Sequence, residues 1–286
     1  MNGAPRPLSI GLLGTLSLHL NRRPVTISAP KQRQVLALLA LNAGRVVTVP
    51  TLVEELWGDS PPRSYATTLQ TYVLQLRKAL AAADSDQHGA RTVLSTCHYG
   101  YLFEGDACQT DVEAFDRGVR AGRAAAEAGD HRLAAQELSQ ALQLWHGPAL
   151  VDVRKGPVLE IEVASLEECR LGALERRIEA DLALGRHADL LGELTMATAR
   201  NPMNENLCAF LMTALYRAGH VGRSLQAFHR LRSVLNNELG VEPCSRLQRL
   251  QAAILSRDPA LESGFAGWAL PRDREQIAAG TLGHRR

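Results

Sequence analysis

The chain has 286 residues, 45% of them hydrophobic, which is enough apolar side chain for two packed domains. Its net charge of only +2 argues against a uniformly basic nucleic-acid binder, but the charge is unevenly placed. Residues 1–105 hold ten Lys and Arg against six Asp and Glu (+4), residues 106–258 eighteen against twenty-one (−3), and residues 259–286 four against three (+1).

Residues Met1–Pro7 lack the apolar core of a secretory signal, and the apolar run Val35–Leu41 is too short for a membrane span, so it reads as a buried helix. Next, Thr48 can cap a short helix that tolerates Pro50 in its first turn. Leu52, Val53, Leu56 and Trp57 supply its apolar face, Gly58 ends it, and Asp59-Ser60-Pro61-Pro62 form a turn.

A second helix, roughly Arg63–Ala81, places Leu69, Val73, Leu76 and Leu80 on one side at helical spacing. Its other side carries Thr67, Thr68, Thr71, Gln75 and Lys78, with Leu74 among them, and Tyr72 lies at the edge. A solvated helix would mix acids with bases to form i,i+4 ion pairs, yet no carboxylate occurs between Arg63 and Ala83. A surface without acid is what a phosphate-lined groove requires. Thr67, Thr68, Thr71, Tyr72 and Gln75 are therefore the candidates for groove contacts, with Leu74 suited to a thymine methyl. Tyr72 reads equally as a core residue. Arg63, Arg77 and Lys78 are candidate phosphate anchors, joined by Lys31 and Arg33 at the start of the first long helix.

Ala82–Ala90 then reads as a loop, followed by strands Thr92–Ser95 and Tyr101–Phe103 joined through Cys97-His98-Tyr99-Gly100. Helix, turn, helix and hairpin in this order make a winged helix-turn-helix. His98 and Tyr99 at the hairpin tip are candidates for a minor-groove or backbone contact, although an exposed tip is commonly polar for solvation alone.

Residues 8–104 resemble the OmpR/PhoB type of winged helix, which implies an N-terminal sheet over Leu8–Gly14, Leu16–Leu20 and Val25–Ile27. More narrowly, PKQRQVLALLALNAGRVV, LVEELWGDSPPRS, TLQTYVLQLRKAL and GYLF resemble the Streptomyces antibiotic regulatory protein family. The resemblance continues through ALQLWHGPAL, ALERRIEADLALGRH, LMTALYRAG and ELGVEP, and so covers roughly residues 8–258. It implies an activator that binds direct repeats in promoter DNA near the −35 element, as a homodimer on DNA, and engages RNA polymerase including its sigma subunit. The usual targets are antibiotic or other secondary-metabolite clusters. The turn Gly58–Pro62 resembles the loop that OmpR-type activators present to polymerase, making Asp59 a candidate sigma contact. Cys97-His98-Tyr99 departs from the Arg or Lys that the resemblance leads one to expect near the wing tip.

From Thr110 onward the texture is that of long Ala/Leu/Arg/Glu helices with short Gly-containing turns. Leu184-Gly185-Arg186-His187 and Ala218-Gly219-His220-Val221 stand 34 residues apart, the tetratricopeptide period, with Ala227-Phe228 at small/aromatic packing positions. Val112–Ala128 and His131–Trp145 read as a further helical hairpin off that period. The resemblance identifies this half as a bacterial transcriptional activation domain. The expected architecture is thus mainly α: an α+β winged helix over residues 1–105, an all-α tetratricopeptide-like domain over 106–258, and a mostly flexible tail over 259–286 in which Trp268 docks back and Gln276–Ala279 alone hints at a helix.

Chemistry of other kinds finds little footing. Five cysteines (Cys97, Cys108, Cys169, Cys208, Cys244) form no C-x-x-C pair or metal spacing and read as reduced thiols. Glu167, Glu168, Glu175 and Glu179 interleave with Arg170, Arg176 and Arg177 as helix ion pairs, and His131, His187 and His220 fall at turns where they cap or pack. Trp145 reads as a plug between hairpins. No nucleophile elbow, phosphate loop or metalloprotease motif occurs, so neither an enzyme nor a cofactor is expected, and the location expected is cytoplasmic and nucleoid-associated. A ligand-sensing repressor with the same DNA domain, or a helical-repeat adaptor, stays open as an alternative.

Overall fold

The computed structural model describes residues 8–83, 93–104 and 108–263. Thr92, the loop beyond Ala83, Trp268, Gln276–Ala279 and the tail past Ser263 lie outside those residues. Two compact units divide the chain at 174/175.

In the first unit, β1 (Leu8–Gly11), β2 (Ser17–Leu20) and β3 (Arg23–Pro24) form an antiparallel meander. Its second hairpin turns on Asn21 and Arg22, both at positive φ (53° and 64°), the conformation that lets a two-residue loop match strand twist. That tight turn brings the third strand in before the expected Val25–Ile27. Val25 and Ile27 are instead buried core residues, and the Val25 N–H donates to the Leu18 carbonyl at 2.8 Å.

Three helices follow: α1 (Pro30–Leu41), α2 (Val49–Trp57) and α3 (Tyr65–Ala83). Val35–Ala40 of α1 are all buried, as the apolar run required. Thr48 caps α2, its Oγ1 accepting from Thr51 N at 3.3 Å. Thr48 also ends a short strand not foreseen from sequence, β4 (Val46–Thr48), which joins β5 (Leu94–Cys97) and β6 (Gly100–Phe103) in a sheet of order β4-β6-β5. Only glycine fits at position 100: an added Cβ would sit 2.1 Å from the Val47 carbonyl oxygen.

β7 (Cys108–Thr110) pairs in parallel with β1, giving the first sheet the order β3-β2-β1-β7. Thr110 then caps α4 (Asp111–Glu127), which packs on α5 (His131–Leu142) as the expected hairpin. Trp145 is buried beside Phe115, edge to face at 5.5 Å, with the Arg170 guanidinium 4.6 Å over its ring; it plugs the hairpin end. Three carboxylates stitch this hairpin and the start of α6 (Pro157–Ala183) to the winged helix. Asp111 accepts from Leu12 N and Leu13 N at 2.9 Å, and Asp152 accepts from Leu16 N at 2.8 Å. Glu55, 2% exposed, accepts from Gln34 Nε2 (2.6 Å), Gly156 N (2.7 Å) and Leu159 N (2.8 Å). Residues 108–174 thus pack with the winged helix within one compact unit.

The second unit contains α7 (Leu191–Arg200), α8 (Glu205–Arg217), α9 (Val221–Leu239), α10 (Ser245–Ser256) and the short α11 (Ala260–Ser263). Met212, Phe228, Leu231, Leu235, Leu250 and Ile254 are central to its core. The repeat is visible in the backbone. Gly185 and Gly219 both have left-handed φ (76° and 80°), and the residue after each donates back to Asp181 O and Leu215 O. Gly129 ends α4 in the same way, with φ 80° and Asp130 N donating to Ala125 O at 2.9 Å, so all three hairpins share one helix stop.

Candidate nucleic-acid interface

α3 is sorted by face. Leu69, Val73, Leu76 and Leu80, each 1% exposed, pack into the core with α1. Thr67, Gln70, Thr71, Leu74, Gln75 and Lys78 are exposed on the other side, Thr68 is half-buried there, and no acid lies on the helix. Tyr72 is half-buried and packs against the core, which favours its reading as support for the helix.

The hydroxyls of Thr68 and Thr71 donate to the carbonyls of Ser64 and Thr67 at 3.0 and 2.9 Å. Their oxygens keep lone pairs for an incoming donor such as an exocyclic base amine. Gln75 Oε1 accepts from Gln32 Nε2 on α1, which orients the Gln75 amide and leaves its own NH2 to donate. Gln32 was not evident from sequence, because its place beside Gln75 exists only once α1 and α3 pack. Gln70 was missed too. It is exposed one position from buried Leu69, on the flank of the outer face, and the acid-free pattern is the signal that could have found it.

The five expected cations separate by what they already bind. Lys31 donates to the Leu56 carbonyl at the C-terminal end of α2, 5.9 Å from the Trp57 ring centroid. Burial first, and then the Arg154 charge, lower its pKa, with Glu55 opposing. Arg33 donates to Ile27 O at 3.2 Å and pairs with Asp152. Arg77 reaches from α3 to the wing, its Nε donating to Leu94 O at 2.9 Å and its NH2 group to Thr96 Oγ1 at 2.8 Å. Arg63, in the turn before α3, and Lys78 are exposed and make no hydrogen bond or ion pair among the described residues.

The wing is tighter than the sequence suggested: Cys97 pairs with Gly100, leaving only His98 and Tyr99 as the tip. Their rings meet edge to face at 4.5 Å, and Tyr99 is 73% exposed. The Tyr99 carbonyl accepts from Val49 N at 3.0 Å, tying the tip to the start of α2. Between wing and α3 lies an open cleft of about 540 Å³ lined by Thr48, Gln70, His98, Tyr99 and their neighbours. The structure therefore brings Gln70, His98 and Tyr99 to one cleft beside the outer face of α3. It places Lys31 and Arg33 in internal contacts of the fold, and Asp59 exposed in the α2–α3 turn. Among the described residues no group of His, Cys, Asp and Glu is arranged to hold a metal, and no helix is long and apolar enough to cross a membrane.

Comparison with known proteins agrees with this architecture. The family model for the C-terminal domain of transcriptional regulatory proteins matches residues 23–103, and that for the bacterial transcriptional activator domain matches residues 110–255. Regulatory protein DnrI of Streptomyces peucetius is 53% identical over 257 residues, covering 89% of this chain and 94% of that protein. Transcriptional regulator RedD of Streptomyces coelicolor is 37% identical over 264 residues, covering 92% and 75%. Among solved structures, Mycobacterium tuberculosis EmbR in complex with a low affinity phosphopeptide superposes with a TM-score of 0.82 at 34% identity, covering 92% of this chain and 70% of that one.

Proposed function

The chain belongs to the Streptomyces antibiotic regulatory protein family of transcriptional regulators, and on that premise we propose that it is a promoter-binding activator that reads DNA with α3. The observation that carries this is the outer face of α3: threonine and glutamine side chains, one exposed Leu, an exposed Lys78 with no partner among the described residues, and no carboxylate. Thr67, Thr68, Thr71 and Gln75 face the major groove, Gln70 reads from its flank, and Leu74 meets a thymine methyl. Arg63 and Lys78 hold phosphates, while Arg77 positions the wing whose tip, His98 and Tyr99, rests on the neighbouring backbone. Lys31 and Arg33 act through the fold, since each charge already has an internal partner.

Two protomers occupy direct repeats near the −35 element, and RNA polymerase is recruited through its sigma subunit, with Asp59 in the exposed α2–α3 turn as the contact. The genes controlled belong to an antibiotic or related secondary-metabolite cluster, the target class that the family resemblance implies. The regulator acts in the cytoplasm, on the nucleoid.

Footprinting on promoters of such a cluster, followed by transcription with purified polymerase, tests the proposal. Protected direct repeats and raised transcript output are expected, and Asp59→Ala should lower output at unchanged promoter occupancy. Protection with falling output would instead identify a repressor, and failure to protect any promoter would favour the adaptor reading.

A further inference from the structure

In the second unit, α7, α8 and α9 do not close completely on one another. The stripe of α9 facing the other two carries Ala227, Arg230, Leu231 and Val234, at the spacing of one helix face. Ala227 is too small to reach across, and α8 opposes it with Cys208 and Leu211. A cleft of about 200 Å³ results, lined by Leu211, Leu231 and Val234 together with the polar Thr198, Asn201, Asn204 and Arg230. The Cys208 thiol belongs to the apolar wall: its Sγ lies 3.7 Å from Ala227 O, and burial pushes it up to about 12, so it stays neutral. Arg230 is exposed and forms no ion pair among the described residues, unlike Arg232 two positions on, which pairs with Glu242 at 2.6 Å.

We propose that this cleft is a binding site for a small amphipathic carboxylic acid, its apolar body against Leu211, Leu231 and Val234 and its carboxylate on Arg230. The volume selects the occupant. It exceeds the roughly 150 Å³ that suffices for a benzene ring, yet it is far too small for a helix or a strand of a partner protein. The charge selects the head group, because a guanidinium with no counter-ion among the described residues offers two parallel donors to a carboxylate. The cleft is lined by residues of the second unit alone and uses no residue of α3, so its test is separate from that of promoter binding.

The test uses the full chain with methyl-labelled Leu and Val, titrated with benzoate, 2-naphthoate and octanoate, each beside its neutral amide, and followed by NMR and calorimetry. At least one acid should bind saturably at millimolar concentration or below, shift the methyls of Leu211, Leu231 and Val234, and bind about tenfold or more tightly than its amide. Arg230→Ala should bring the acid to the affinity of the amide and leave the amide unchanged. Ala227→Phe should fill the cleft and abolish both; Ala227→Met, with its flexible side chain, serves if the bulkier variant does not fold. No acid perturbing these methyls overturns the site, and equal affinity for acid and amide overturns the role of Arg230.

Discussion

The outer face of α3 and the seam that joins the winged helix to the hairpin after it use polar side chains in opposite ways. On α3, Thr67, Gln70, Thr71, Gln75 and Lys78 project from a helix whose other side is buried, and Lys78 has no partner among the described residues. At the seam, Glu55, Asp111 and Asp152 each accept backbone N–H groups from a distant segment, and Lys31 and Arg33 are bound internally. The lesson is that a charge says little about its role until its partners are known. A carboxylate that accepts two or three N–H groups is a structural element, whereas a free Lys beside an acid-free face is available to a ligand.

The largest expected effect tests the seam. Glu55→Ala leaves Gly156 N and Leu159 N without an acceptor in a buried place and should lower unfolding stability by about 3–5 kcal/mol in urea titrations. A loss below about 1 kcal/mol would mean that the carboxylate is replaceable and the seam is not polar in origin.

On α3, Gln75→Ala should reduce discrimination between operator and random DNA by about 1–3 kcal/mol at little cost in stability. Equal loss on both DNAs would remove Gln75 from base reading.

Cys108, in β7 at the seam, is pushed up from 9.0 to about 12 by burial first and by Glu113 second. A thiol whose pKa is raised on folding contributes stability fully below pH 9, and loses it as the pH rises toward 12. Stability should therefore fall by about 1.4 kcal/mol per pH unit from this group between pH 9 and 11, and Cys108→Ala should remove that slope. An unchanged slope in the variant would show that the thiol is not what titrates.

The smallest difference separates two neighbours on one helix. Lys78→Ala should flatten the dependence of log affinity on log salt by about 0.9, the signature of one lost phosphate contact. Arg77→Ala should weaken specific binding through a loosened wing while leaving the salt slope unchanged. If Arg77 instead behaves like Lys78, it is a phosphate anchor and the contrast between bound and free cations fails.

Much of this was legible in advance because it is local. The stripe Leu69-Val73-Leu76-Leu80, the Thr48 cap, the hairpin around Gly129 and the 34-residue step between Gly185 and Gly219 are written at helical or repeat spacing. The two short strands β4 and β7 were not, since three residues carry no readable period and each is a strand only by pairing with β6 or β1. The third strand was misplaced by two residues because a turn with positive φ at Asn21 and Arg22 has no strong signature without glycine.

The sequence by itself determined the amphipathic division of α3, its freedom from acid, the order helix, turn, helix, hairpin, and the family resemblance, because spacing and composition act along the chain. Only the tertiary structure decided which cations are bound internally. Lys31, Arg33 and Arg77 look as available as Lys78 in a string of letters, but their partners, Leu56 O, Asp152 and Leu94 O, are brought to them from 17 to 119 residues away by the packing of apolar faces. Solvation and pairing depend on distance in space, and that is fixed only when the core closes.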